Sequence, residues 1–228
     1  TGLIRRLMRD AHTSPFEMAE VKFHIKMPIF VARQWIRHRT ANVNEFSARF
    51  KGVVNEFWIP RPEDMRGQSE INHQCSDGLM QGDPAVIYDT FTRVSEEAFG
   101  AYNMALSHGM AREQARSILP VSTYTQWFWK CDLHNLLHFL DLRCADDAQS
   151  EIAAYAWKIC EVVKAWCPLT FAAWLDYRKH APRLSLPAWR VIWKHLGNVA
   201  PLQRDMEARG IGKSETAAVM RRVRDEPV

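Results

Sequence analysis

The chain has 228 residues, of which 47% are hydrophobic and 25% charged, with a formal net charge of +4. That length bounds one domain, or one large domain with an appendage, and the composition excludes a disordered chain. No apolar run reaches the ~18 residues a membrane helix needs and no signal peptide opens the sequence, so a soluble cytoplasmic protein with no membrane partner is expected.

Gly2-Leu3-Ile4 runs into a helix, and the opening residue is Thr1 rather than Met, so a segment preceding this numbering is expected. Residues 20–27 alternate apolar and polar, with Val21, Phe23, Ile25 and Met27 on one face, and predict a strand. Pro28 then suits the first turn of a helix through Trp35. Two short extended stretches are expected near residues 45–50 and 53–59. Residues 60–82 carry Pro60, Pro62, Gly67, Gly78 and Gly82 and read as mainly loop. Asp83-Pro84 is a helix start, and Ile87, Phe91, Val94, Ala98, Tyr102 and Leu106 continue it as a long amphipathic helix closed by Gly109. A shorter helix fits 111–118. Residues 121–131, rich in Thr, Tyr, Trp and Phe, predict an extended segment, and the aromatic stretch from Tyr124 to Trp129 reads as core. Helices follow at 134–142 and at about 146–166, the second ending at Cys167-Pro168. Beyond Tyr177 the pattern weakens, with one further helix starting near Leu186. The whole predicts one α+β domain with more helix than strand.

The five cysteines are odd in number and include no C-x-x-C pair, which argues against a disulfide framework or a zinc site and for reduced thiols. Residues 178–228 hold 11 Lys/Arg against 5 Asp/Glu, a balance of +6 that leaves −2 for the rest. No nucleic-acid motif accompanies this basic tail, so a solvated surface or an approach for anionic substrates is expected and no nucleic acid partner.

Three clusters could carry chemistry. Arg37, His38, Arg39, Glu45, Ser47 and Arg49 lie within thirteen residues at the exit of a helix. Guanidinium forks match phosphates and planar carbonyl edges, so this cluster could hold a nucleotide and a phosphorylated cofactor together. It equally fits a surface helix end whose basic side chains satisfy the last carbonyls. Arg116, in Arg112-Glu113-Gln114-Ala115-Arg116, taken alone is better explained by a solvated charge pattern. His134 and His138, with Asp132 and Arg143 beside them, share a helix face. Their spacing could ligate a metal, contact a flavin or nucleotide, or simply be surface histidines.

At these residues a resemblance becomes specific. The string RHRTANVNEFS, residues 37–47, contains RHR, seven residues and then Ser, and resembles the signature of the flavin-dependent thymidylate synthases. Residues 14–39, 63–74, 111–156 and 167–171 also look like family segments in the family's order, so the resemblance covers residues 2 to about 177. Residues 178–228 match weakly, as a basic C-terminal extension of the single domain 1–228.

The resemblance implies a mixed α/β fold with an antiparallel-rich sheet and several long helices, assembled as a homotetramer with sites built between subunits. It implies FAD, with dUMP, methylene-tetrahydrofolate and NADPH as substrates. NADPH reduces the flavin, the folate gives its one-carbon unit, and the reduced flavin supplies the hydride that completes the methyl group of dTMP.

Position by position, Arg37, His38 and Arg39 match signature residues on FAD, with Arg37 also near dUMP. Ser14 matches a hydroxyl residue on FAD, and His12 a histidine near the flavin ring. Gln34 resembles a dUMP contact. Glu45, Phe46, Ser47, Ala48 and Arg49 match the loop that wraps dUMP, Glu45 also being expected at the cofactor. Arg116 matches a dUMP-binding arginine, and Asp132, His134 and His138 match FAD-contacting positions. Arg143 matches the arginine that activates the uracil by stabilising charge on its ring, a role suited to a fixed guanidinium. Ser47 is expected at the catalytic site as a positioning group, because no general base stands beside it in sequence.

Met18, Asn42, Phe50 and Ser150 depart from the family pattern. They leave room for a paralogue acting on another pyrimidine nucleotide, and a catalytically silent flavin- or nucleotide-binding protein is a further alternative.

Overall fold

The computed structural model describes residues 2–47, 55–70, 75–196 and 200–224. The chain forms two compact units, Thr1–Lys179 and His180–Val228.

The first unit opens with helices α1 (Gly2–Arg9) and α2 (Ser14–Glu17), followed by strand β1 (Glu20–Pro28) and helix α3 (Ile29–Trp35). Strand β2 is Asn42–Glu45. After a 3-10 turn at Pro62–Asp64 come β3 (Arg66–Gln68) and β4 (Ser76–Leu79), then the long α4 (Pro84–Ser107). The short α5 (Arg112–Ala115) continues as a 3-10 turn over Arg116–Ile118. Strand β5 (Tyr124–Asp132) leads directly into α6 (Leu133–Arg143). Helices α7 (Ser150–Trp166) and α8 (Pro168–Trp174) complete the unit, the last running into a π-helical turn at Leu175–Lys179.

Strands β1, β5 and β2 form an antiparallel sheet in that order. The register sets Phe23 opposite Trp129 and Ile25 opposite Trp127, so the alternation of β1 meets that of β5 on one face. On the other face His24 stacks on Phe128, ring centroids 4.6 Å apart. Trp35 of α3 is fully buried against the inner face, 5.3 Å from Trp129 and stacked at 4.6 Å on Phe139 of α6. Leu136 and Leu140 of α6 and Ile152 and Val163 of α7 fill the space behind. Each such side chain contributes roughly 1.5–3 kcal/mol on burial. This layer fixes the height of α6 on the sheet, and with it every side chain that α6 carries.

The helix ends follow local chemistry. Asp132 caps α6, its carboxylate accepting from the Asn135 backbone N–H at 2.8 Å and from the Asn135 side-chain amide at 2.7 Å. Asp83 caps α4 through the Ala85 N–H at 2.9 Å. That helix stops at Gly109, whose φ of +85° lets Met110 N–H reach back to the Ala105 carbonyl.

Several expectations are corrected. Residues 60–82 include much loop, as expected, but also hold β3 and β4, which pair as a two-stranded antiparallel sheet. Both strands are short and mostly exposed, so no apolar alternation marks them. Gly67 sits where a Cβ would lie 3.3 Å from the carbonyls of Asp77 and Leu79, which is why the turn-like glycine belongs to a strand. The first short strand is Asn42–Glu45, which meets the expected 45–50 at Glu45, and 48–50 lie outside the described residues. The stretch near 53–59 contributes an isolated bridge, Phe57 to Thr123, and residues 48–54 lie outside the described residues. Helix α7 begins at Ser150, four residues later than expected. The apolar stripe of α4 is covered only in part: Tyr102 is buried, whereas Phe91 and Val94 are each 50% exposed.

The second unit holds α9 (Leu186–His195), α10 (Ala200–Ala208) and α11 (Lys213–Arg224). Ser185 caps α9, Trp193 donates its indole N–H to the Val223 carbonyl at 3.1 Å, and Gly210, with φ +74°, turns the chain from α10 to α11. Among its described residues Met206, Thr216, Met220 and Val223 are buried. Among the described residues no helix is long and apolar enough to cross a membrane.

Candidate functional site

Helix α3 buries Val31, Ala32 and Trp35 and ends at Ile36, so the chain emerges from the core at Arg37-His38-Arg39. Arg37 and Arg39 are exposed, and His38 between them is half-buried. The His38 ring packs edge-on against Phe139 at 4.8 Å and lies 6.3 Å from the ring of His138. Arg143, the last residue of α6, donates from Nε to Nε2 of His38 at 3.0 Å. Burial first, then the charge of Arg143 and His138, push the His38 pKa down to about 4. The imidazole is therefore neutral at pH 7, with its proton on Nδ1. Burial also lowers the pKa of Arg143, from a value so high that the guanidinium stays charged. One turn before the signature, Gln34 holds a buried Oε1 with no hydrogen-bond partner among the described residues. An acceptor left in that state costs about 1–3 kcal/mol, which a ligand donor would recover.

Beside this corner the N-terminal segment packs on α6. Ala11 adopts φ +56°, a strained conformation for a residue with a Cβ, as the chain turns into His12. His12, Thr13, His134, His138 and Asp141 line a notch of about 60 Å³. Asp141 is anchored by the Trp174 indole N–H at 2.7 Å. Ser14 is the exposed first residue of α2, next to this notch in sequence. Thr40 donates to Asn135 Oδ1 at 2.8 Å, and Asn135 is held in turn by Asp132, so the loop after the signature is tied to the start of α6. The role of Asp132 seen here is that of a helix cap.

A second cavity, about 280 Å³, opens at the sheet edge and is lined by His24, Glu45, Phe46, Ser47, Gln126 and Phe128, among others. The ladder continues past β2 through Phe46 N–H to the Gln126 carbonyl at 2.8 Å. Glu45 Oε1 accepts from the Thr125 hydroxyl at 2.6 Å. Ala48, Arg49 and Phe50 lie outside the described residues. Arg116 stands apart on its exposed 3-10 turn, its Nε 3.4 Å from the Glu113 carbonyl, and lines none of the cavities described.

The structure thus brings His12, His38, His134, His138 and Arg143 to the α6 corner, and Glu45, Phe46 and Ser47 to the sheet edge. A third cavity, about 460 Å³, was not foreseen. It is lined by Arg66, Gln68, Asp146, Gln149, Ser150 and Glu151, among others. The Cys75 thiol donates to the Asp147 carbonyl at 3.2 Å, joining the β3–β4 pair to the loop before α7. Its lining draws on segments some eighty residues apart in sequence; residues 63–74 and 111–156 resembled family segments and Ser150 departed from the family pattern, but nothing in the sequence brought them together. Among the described residues no group of three or more His, Cys, Asp or Glu is placed to hold a metal ion.

Residues 1–169 match the family model described as thymidylate synthase complementing protein. The flavin-dependent thymidylate synthase of Ehrlichia ruminantium is 46% identical over 220 residues, covering 96% of this chain and 73% of that protein. That of Gluconobacter oxydans is 44% identical over 223 residues, covering 96% and 74%. Among solved structures, a UMP/dUMP methylase, PolB, from Streptomyces cacaoi bound with 5-Br dUMP superimposes with a TM-score of 0.72 at 35% identity, covering 79% of this chain and 81% of that one. With the signature, the order of the segments and the fold in agreement, the chain belongs to the flavin-dependent thymidylate synthases.

Proposed function

We propose that this chain carries out the reductive methylation of dUMP to dTMP, with methylene-tetrahydrofolate as carbon donor, NADPH as reductant and FAD as cofactor. The observation that carries this reading is Arg143, a half-buried guanidinium held by an imidazole rather than by a carboxylate. A cation fixed without a counter-charge stabilises negative charge developing on a pyrimidine ring and needs no reorganisation to do so.

The residues present fit FAD. The imidazoles of His12, His134 and His138 border a notch with apolar walls at Phe16 and Leu137, and Arg37 and Arg39 emerge exposed from the same corner as His38. Flat rings and paired phosphates suit such a set. Arg37, His38, Arg39, Ser14, Glu45, Asp132, His134 and His138 are the residues proposed to hold the cofactor. Bound and reduced by NADPH, FAD supplies the hydride that completes the methyl group. Gln34, Glu45, Phe46, Ser47, Ala48, Arg49 and Arg116 are proposed to hold dUMP. Thr125 fixes the Glu45 carboxylate, and Ser47 positions the substrate.

Assembly as a homotetramer is part of the proposal. Val86, Phe91, Val94 and Met104 leave apolar surface exposed along α4, as an interface would. The exposure of Arg116 supports its use toward a site completed by another subunit. A cytoplasmic location is proposed as well, in keeping with five free cysteines.

The likeness to PolB, also solved with 5-Br UMP at a TM-score of 0.73, favours a second reading in which UMP is accepted beside dUMP. Anaerobic turnover with FAD, NADPH, methylene-tetrahydrofolate and either nucleotide, with products read by mass, tests both. Formation of dTMP by the wild type and not by Arg143→Ala is expected. A methylated UMP at a comparable rate would establish the second.

A further inference from the structure

We infer that His38 is a positioning residue for Arg143, an imidazole that orients the guanidinium through its Nε while leaving its charge uncompensated. This rests on the proposed placement of Arg143 at the pyrimidine.

A half-buried arginine is ordinarily fixed by a carboxylate, which orients it and cancels its charge together. Here Arg143 donates to His38 Nε2, at 3.0 Å, and no carboxylate among the described residues forms an ion pair with it. Burial lowers its pKa, and among the described residues no acidic group offsets that. The bond engages Nε, and among the described residues neither terminal amino group has a hydrogen-bond partner, so both can meet a ligand. The acceptor is itself fixed, because its ring rests edge-on against Phe139, which packs on Trp35. The charged and titratable groups around His38 are Arg37 and Arg39 on its own loop and His138 and Arg143 on α6, all basic. Burial first, then the charge of Arg143 and His138, keeps the imidazole neutral, and only a neutral imidazole can accept this bond. Carboxylate and imidazole would orient Arg143 equally well, but only the imidazole preserves a full positive charge facing the ring.

The test uses three substitutions in the full-length FAD-loaded enzyme at saturating FAD. His38→Gln keeps an acceptor, His38→Leu removes it, and His38→Asp supplies an anion. The expected order of kcat is wild type, then Gln within about tenfold, then Leu and Asp each lower by about 100-fold or more, with KM for dUMP moving less than kcat. Thermal melts and flavin absorbance establish that each variant is folded and loaded. In the Arg143→Ala background, His38→Leu is expected to add no further loss, since it acts through the missing guanidinium. Equal rates for Gln and Leu, an Asp variant as active as Gln, or an additive loss in the double variant would each overturn the inference. Full turnover by Arg143→Ala alone would instead overturn the placement of Arg143 on which it rests.

Discussion

The α6 corner and the sheet edge carry the two halves of the proposed site, and they are built differently. At the corner, His38 and Arg143 are half-buried, hydrogen-bonded to each other and backed by Phe139 and Trp35. At the edge, Glu45 and Phe46 are exposed, and the clearest restraints are one hydroxyl on Glu45 and one backbone bond from Phe46. Chemistry that depends on a fixed charge belongs where packing holds the side chain before any ligand arrives. Recognition of a substrate's outer groups tolerates a looser surface, which ligand and neighbouring subunits can complete.

The sharpest way to break the contrast is to remove what backs the corner. Phe139→Ala deletes a fully buried ring touching Trp35, Trp129 and His38, and a loss of about 3–5 kcal/mol in urea unfolding is expected. A loss below about 1 kcal/mol would mean the corner is not held by packing. Asp132→Ala, which uncaps α6 at its start, is expected to cost about 1–2 kcal/mol by the same measurement.

Acid titration probes the corner without altering its shape. The folded pKa of His38 is about 4 against an ordinary 6.5. Between these values the unfolded chain binds a proton that the folded chain refuses, so stability falls as pH drops from 6.5 to 4 and this contribution levels off below. For a half-exposed ring in screening solvent the effect is roughly 1–2 kcal/mol. The urea midpoint of the wild type should fall more steeply over this range than that of His38→Gln, and parallel curves would contradict the burial of a neutral imidazole.

The smallest effect belongs to the edge. Thr125→Val removes the hydroxyl that holds Glu45 and should cost about 0.5–1.5 kcal/mol, read as a several-fold rise in KM for dUMP with stability nearly unchanged. A collapse in stability would show that the edge is as rigid as the corner.

The same contrast governs what could be read from the residues alone. Strand β1, helix α3 and the span of α6 were legible because their buried faces repeat at period 2 or 3.6, as Ile25 and Met27 or Leu133, Leu136, Leu137 and Leu140 show. The β3–β4 pair was not, since exposed strands of three and four residues carry no period and Gly67 imitates a turn. Helices α10 and α11 escaped because Met206, Met220 and Val223 supply few buried positions between them. In the site, the signature marked His38, and the resemblance alone marked Arg143. Their bond spans 105 positions and depends on the packing of Phe139 against His38, which no local pattern encodes.

The most direct measurement is anaerobic conversion of dUMP with FAD, NADPH and methylene-tetrahydrofolate, followed by mass analysis, for the wild type and Arg143→Ala side by side. The account predicts dTMP from the wild type and a loss of at least about 100-fold in kcat for the variant, with flavin reduction by NADPH intact. Unchanged dTMP formation by Arg143→Ala, or no dTMP from a wild type whose flavin is reduced, would contradict it.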